Sequence, residues 1–254
     1  VRSADNGASW GTPDELILRD VPPNIYTGSS PVRLPGGAIL LPLEATGVRA
    51  REEFTLAAFF EPATGALSPA FDIMRDPTGE LSYGDARFAV LDNGVLLMLA
   101  WTFRTRAEET LPVHRCVSRD NGRTWTPPEA TNAPCQILSP LGWGGEQVMA
   151  VGNVRTAPEG IRLFTSGDGG KTWDVDSPVQ LWDPREQRVT NRPLPIGAPP
   201  PGDQQLWSEL PAFTFGTPEL IRLGDDEALM TYYAMLGPIT HIRACRLRLR
   251  EFHA

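Results

Sequence analysis

The stretch Ser-Tyr-Gly-Asp-Ala-Arg-Phe (82–88) sets Asp85 and Arg87 two residues apart, so in a strand both side chains leave the same face. A carboxylate in such a place can orient a polar ligand or act as a base. Guanidiniums beside it suit a ligand carboxylate, which they grip through two parallel hydrogen bonds. Arg104 stands near the same end of the next apolar run, and Glu219, Tyr233 and Arg243 occupy comparable places in a later group of runs. Asp85, Glu219 and Tyr233 are the candidate catalytic residues, with Arg87, Arg104 and Arg243 as substrate-binding partners. An acid flanked by two arginines is expected to have a lowered pKa and to stay ionised, which suits a base better than a general acid. Tyr26, Glu44, Arg49, Arg51, Arg106, Arg155, Glu209 and His241 fall in loops or strand ends on the same side of the pattern. Charges in loops are most often simply solvated, so most of this wider set is expected to do nothing specific.

What must position these residues is a repeat. Ser118-Arg119-Asp120-Asn121-Gly122-Arg123-Thr124-Trp125 recurs as Ser166-Gly167-Asp168-Gly169-Gly170-Lys171-Thr172-Trp173 and, conservatively, as Ser3-Ala4-Asp5-Asn6-Gly7-Ala8-Ser9-Trp10. The two full copies follow strand-like runs, Val-His-Arg-Cys-Val-Ser and Ile-Arg-Leu-Phe-Thr-Ser. Their Asp-Asn-Gly and Asp-Gly-Gly centres are turn chemistry. Glycine supplies positive φ and the Asp carboxylate accepts hydrogen bonds from the turn's own amides. Asp5, Asp120 and Asp168 are therefore structural rather than catalytic, and each Trp is a packing plate. In step with the turns run four hairpins at 30–45, 85–103, 136–154 and 218–235. A missing turn is expected near residue 62, where Phe-Glu-Pro-Ala-Thr-Gly keeps the glycine but not the Asp or Trp. Four-stranded units at this spacing imply an all-β fold, a β-propeller.

Ser-x-Asp-x-Gly-x-Thr-Trp resembles the Asp-box, or bacterial neuraminidase repeat, of the sialidase superfamily, and the repeat plan covers nearly the whole chain. The resemblance implies a sialidase-type β-propeller with a six-bladed parent, about four blades of which are present here as one N-terminally truncated domain over 1–254. It implies an exo-α-sialidase-like glycoside hydrolase that releases a terminal, acidic sugar from glycans. A non-catalytic propeller binding glycan or protein is the alternative. In that family an arginine trio holds the sugar carboxylate, an Asp is the acid/base and a Tyr activated by a Glu is the nucleophile, an exception to the usual carboxylate pair. Asp85 falls at the position of the Glu, Trp101 where an arginine is expected, and Thr217 where the nucleophile is expected, with Tyr233 one strand away. The family suggests a secreted or periplasmic protein.

Composition narrows the partners. A net charge of −8 over 254 residues argues against nucleic acid or an anionic membrane surface, and no run is long enough for a membrane span. Three cysteines with no paired spacing describe neither a disulfide framework nor a zinc site, and no cofactor or metal is expected. Residues 174–216, rich in Pro, read as a long loop entering the last blade, with Trp207 suited to stacking on a sugar ring. Residues 13–19 are expected to be a strand whose own blade is missing, unless it closes onto 241–249 to complete a four-bladed ring. The apolar flanks left by missing blades are expected to promote self-association.

Overall fold

The computed structural model describes residues 1, 3–13, 15–18, 21–22, 24–46, 52–107, 109–156, 158–184, 214–236 and 239–248. Among them there is no helix, and four antiparallel sheets follow one another along the chain as the blades of a β-propeller. The first sheet holds β1 (Ile25–Tyr26), β2 (Val32–Arg33), β3 (Ile39–Thr46), β4 (Glu53–Glu61), β5 (Ala66–Leu67) and β6 (Phe71–Met74). The second is β7 (Leu81–Val90), β8 (Leu96–Arg104), β9 (Thr110–Ser118) and β10 (Glu129–Ala130). The third is β11 (Leu138–Gly142), β12 (Val148–Val154), β13 (Gly160–Ser166) and β14 (Val179–Trp182). The fourth is β15 (Phe215–Arg222), β16 (Glu227–Leu236) and β17 (Ile239–Arg248). The four apolar hairpins of the sequence are the inner strand pairs of these sheets.

The cores lie between blades. Leu40, Ala57 and Met74 of the first sheet pack on Leu96, Met98 and Cys116 of the second. Leu97, Leu99 and Val113 of the second meet Leu138, Ala150 and Phe164 of the third. Val151, Leu163 and Trp182 of the third meet Phe215, Met230 and Tyr232 of the fourth. Both faces of each middle strand are thus buried, which is why β8 and β12 are almost continuously apolar.

The octapeptides form one turn three times over. In the second blade Ser118 Oγ donates to Asp120 Oδ1 at 2.8 Å, and the Thr124 amide and hydroxyl donate to the two Asp120 oxygens at 2.9 and 2.6 Å. The third blade repeats these contacts at 2.8, 2.9 and 2.6 Å around Asp168, and Ser3, Asp5 and Ser9 repeat them at 2.7, 2.9 and 2.6 Å. Asn121 and Gly122 take φ of 59° and 84°, which explains the Asn-Gly at the turn centre. Trp173 is 3% exposed in the core between the second and third blades. Trp125 is only partly buried, edge-on to Phe88 at 5.9 Å, and Arg123 and Lys171 are exposed. Trp10 is 63% exposed. The degenerate turn of the first blade is a glycine turn, with Gly65 at φ 73° donating to the Glu61 carbonyl at 2.8 Å.

Two expectations are corrected. Residues 13 and 15–18 form no strand. The free edge of β3 is already taken by β1 at Glu44–Ala45 and by β2 at Ile39–Leu40, so the segment contributes only side chains, such as Leu18 against the first sheet. The stretch 174–216 is not wholly a loop, because Val179–Trp182 pairs with β13 as the fourth strand of its blade. Residues 185–213, including Trp207 and Glu209, lie outside the described residues, as do Arg49 and Arg51.

Burial pulls the Asp168 carboxyl up, but the Thr172 and Ser166 hydrogen bonds outweigh it and hold the group at about 2, below 3.8. Asp168→Ala should therefore cost roughly 1 kcal/mol, as for a lost cap, which lowers the melting midpoint by roughly 2 to 4 °C in a chain of this size. A carboxyl with a depressed folded pKa stabilises above its unfolded value and loses that contribution as pH falls through the folded one. Calorimetry of the two proteins should show their difference closing between about pH 4 and pH 2.

Candidate functional site

The octapeptide turns occupy one end of the blades, and the chemistry-bearing residues converge toward the other. In the second blade Val90 and Ser118 both pair with Leu96 at the octapeptide end, whereas Asp85 lies toward the Leu81–Arg104 end. Two bulges build the site. The β7–β8 register shifts between Gly84 and Arg87, and the β15–β16 register shifts between Gly216 and Glu219. In each bulge the residue after the glycine is left-handed, Asp85 at φ 48° and Thr217 at φ 42°. Such bulges re-aim side chains, and the residues that resume the ladder, Arg87 and Glu219, meet each other. Arg87 Nε lies 2.6 Å from Glu219 Oε1.

Each glycine is approached closely by a charged side chain. A Cβ on Gly84 would lie 2.5 Å from Glu53 Oε2, and one on Gly216 would lie 2.6 Å from Arg155 Nη2, so that side chain would have to move to admit it.

Two carboxyls gather around Asp85. Glu44 (2% exposed) accepts the Ala86 amide at 2.9 Å and hydrogen-bonds the Tyr26 phenol. Glu53 (5% exposed) packs over Gly84. Burial, then the Asp85 charge, pushes the Glu44 carboxyl up to about 7, and burial, then Glu44 and Asp85, pushes Glu53 up to about 8. Burial also raises Asp85, with Arg87 and Arg155 offsetting it only in part. The lowered pKa expected for Asp85 is therefore corrected. Desolvation exceeds the attraction of the guanidiniums, and Arg104 is not among them. Tyr26, 39% exposed, is raised by burial and by the same carboxyls.

The fourth and third blades close the cluster. Glu219 accepts from Ser139 Oγ at 3.1 Å. Arg155 donates to Gln136 Oε1 at 2.7 Å and to the Tyr233 hydroxyl at 3.4 Å, with its plane over Phe215. Asp85, Arg87, Glu219 and, through Arg155, Tyr233 are thus brought together. Arg104 is not: it is exposed at the β8–β9 turn, 2.9 Å from Glu109. Arg243 lies on the outer strand β17 opposite Tyr232, whose hydroxyl it bonds. His241 is exposed on the same strand. Sequence reasoning missed Glu53, Gln136 and Ser139. Glu53 was legible as the first residue of the run Glu-Phe-Thr-Leu-Ala-Ala-Phe-Phe, the third strand of its blade.

No family model and no curated protein sequence matches the chain. Solved structures do match its fold. A protein of unknown function from Dyadobacter fermentans is 18% identical at a TM-score of 0.69, over 98% of this chain and 63% of that one. The intramolecular trans-sialidase of Ruminococcus gnavus, in complex with oseltamivir carboxylate, is 13% identical at 0.59, over 99% and 50%. The GH93 α-L-arabinofuranosidase of Fusarium graminearum, in complex with arabinobiose, is 14% identical at 0.58, over 89% and 65%. The chain spans between 50% and 65% of the length of these proteins. The fold is that of the sialidase-type β-propellers, the architecture that the octapeptides imply. Within that class the chain resembles both sialidase and arabinofuranosidase propellers.

Glu44 and Glu53, raised above an unfolded value of 4.5, favour the folded state while protonated and oppose it once ionised. The melting midpoint of the native protein should therefore fall as pH rises from about 5 to about 8. In Glu53→Gln the fall should be shallower, and the variant should be the more stable protein at pH 8. A steeper fall in the variant than in the native protein would contradict the buried-acid assignment.

Proposed function

We propose that the protein is a glycoside hydrolase that releases a terminal sugar from a glycan. The observation that carries this reading is the gathering of Asp85, Glu44 and Glu53 at the end of the blades away from the octapeptide turns. Glycosidases work with acids whose environments differ, one kept protonated near neutral pH and one able to ionise beside the sugar. Glu44 and Glu53 hold protons near neutrality and suit proton donation. Asp85 lies beside Arg87 and Arg155, whose charges offset part of the cost of its burial, so it is the group to face the reacting carbon or its water.

Tyr26 is coupled to Glu44 by a hydrogen bond and is open to solvent, which places a phenol beside the acids. Glu219 positions Arg87, and Tyr233 positions Arg155. We read the octapeptides as Asp-boxes of the sialidase type, with a purely structural part in this function. Support for a glycan ligand comes also from the solved neighbours, one bound to arabinobiose and one to oseltamivir carboxylate. A non-catalytic glycan-binding propeller is the second reading, favoured by Thr217 at the position of the sialidase nucleophile.

Asp85→Asn tests the proposal cleanly, because Asn tolerates the left-handed backbone at φ 48° as well as Asp does. Against a panel of aryl glycosides the native protein should turn over at least one. The variant should lose that turnover by roughly a thousandfold or more, as for removal of an essential catalytic group, while its melting midpoint stays within a degree or two. Full activity in the variant would remove Asp85 from catalysis. Binding of glycans without turnover of any glycoside would favour the second reading.

A further inference from the structure

We infer that the site selects neutral sugars and rejects sugars bearing a carboxylate, with Glu219 as the residue that sets this selectivity. The inference rests on the glycan-site reading above for the kind of ligand, and on the pairing of the guanidiniums for its charge. The acidic sugar expected from the sequence needs an arginine that presents its fork to a ligand. Among the described residues the site's arginines are turned to the protein itself.

Arg87 is 4% exposed, and Nη1 donates to the Gly28 carbonyl at 2.8 Å and to the Ala86 carbonyl at 3.0 Å. Its Nε faces Glu219 at 2.6 Å. Two carbonyls and a carboxylate thus already stand against a guanidinium that is almost closed to solvent. Arg155 is held by Gln136 and Tyr233 and lies over Phe215, with Asp85 as a charge partner. Arg104 and Arg243, the other two arginines that the sequence singled out as substrate-binding, point to Glu109 and Tyr232.

What remains is a site whose two guanidiniums already face protein groups, while Glu44 and Glu53 hold protons near neutral pH. A ligand carboxylate would have to give up its water there with no open guanidinium to receive it, which is costly. Sugar hydroxyls face no such penalty. They both donate and accept, so they match a protonated carboxyl or a carboxylate equally well. Glu219 decides the sign of the balance. It neutralises the more buried guanidinium, Ser139 fixes its other oxygen at 3.1 Å, and its own side chain is 31% exposed toward solvent.

Binding of free monosaccharides by titration calorimetry, at pH 7 and low salt, reads this without any turnover. The neutral set is arabinose, galactose, glucose and mannose; the acidic set is galacturonic acid, glucuronic acid and N-acetylneuraminic acid. The native protein should bind at least one neutral sugar tenfold or more tightly than any acid. Glu219→Gln, which leaves Arg87 without its carboxylate, should narrow that gap by tenfold or more, and a melting curve should show the variant folded. Tighter binding of an acid, binding of no neutral sugar, or an unchanged gap in a folded Glu219→Gln variant each overturns the inference. Failure of hydrolysis with the binding preference intact would instead count against the hydrolase reading alone.

Discussion

Four carboxyls and two guanidiniums share a space from which most water is excluded, and that end of the molecule is organised around the cost of burying them. A charge moved from water into a protein interior is destabilising unless another group compensates it. Arg87 and Glu219 compensate each other directly at 2.6 Å. Glu44 is compensated by a backbone amide at 2.9 Å, and what remains uncompensated appears as raised pKa values on Glu44, Glu53 and Asp85. Near neutral pH, keeping a proton is cheaper for Glu44 and Glu53 than keeping a charge. This one constraint leaves ordinary carboxyls protonated where in water they would be ionised.

The backbone had to yield to allow it. Two bulges at equivalent places in the second and fourth blades interrupt ladders that are otherwise regular, and each puts a non-glycine residue in the left-handed region. Strain of this kind persists only where surrounding packing over-determines the conformation. Here that packing is the pair of inter-blade cores, whose large side chains such as Met98, Phe164 and Phe215 are fully or almost fully buried. The opposite end shows the contrary economy. Asp5, Asp120 and Asp168 stay exposed or nearly so, take their hydrogen bonds from within eight residues, and hold lowered pKa values. The same residue type thus stiffens turns at one end and gathers protons at the other, with burial alone dividing the roles.

The fold was legible because its signals are local. An octapeptide whose Asp, Gly and Ser or Thr bond one another needs no knowledge of distant chain, and the hairpins at 85–103 and 218–235 announce themselves by apolar runs around a turn. The site was legible only as far as the same locality reaches. Asp85, Arg87 and Glu219 were found because they sit on inner strands beside Gly turns. The sign of the Asp85 shift was not, because desolvation depends on how closely blades pack, and no spacing in the sequence reports that. Arg104 was placed near Asp85 by strand pairing alone, but the pairing fixes only its Cα, and the exposed Glu109 five residues on draws its side chain away. Glu53 was missed although it opens the run of β4, because its burial depends on an absence that no spacing reports, the missing side chain of Gly84 three strands later.

That absence shows how the two levels join. Gly84 and Gly216 are read from sequence as turn or flexibility signals, but their part here is to make room, one for Glu53 and the other for Arg155 and Tyr233. Each bulge therefore does two things at once. Its glycine admits a charged group from the neighbouring strand or blade, and the residue three positions on carries the charge that crosses to the other blade. Because Arg87 and Glu219 occupy the same position in two copies of one blade plan, a repeat that carries no charge information of its own yields an ion pair across the centre. The arginines that could have received a ligand carboxylate are consumed in holding the blades to one another.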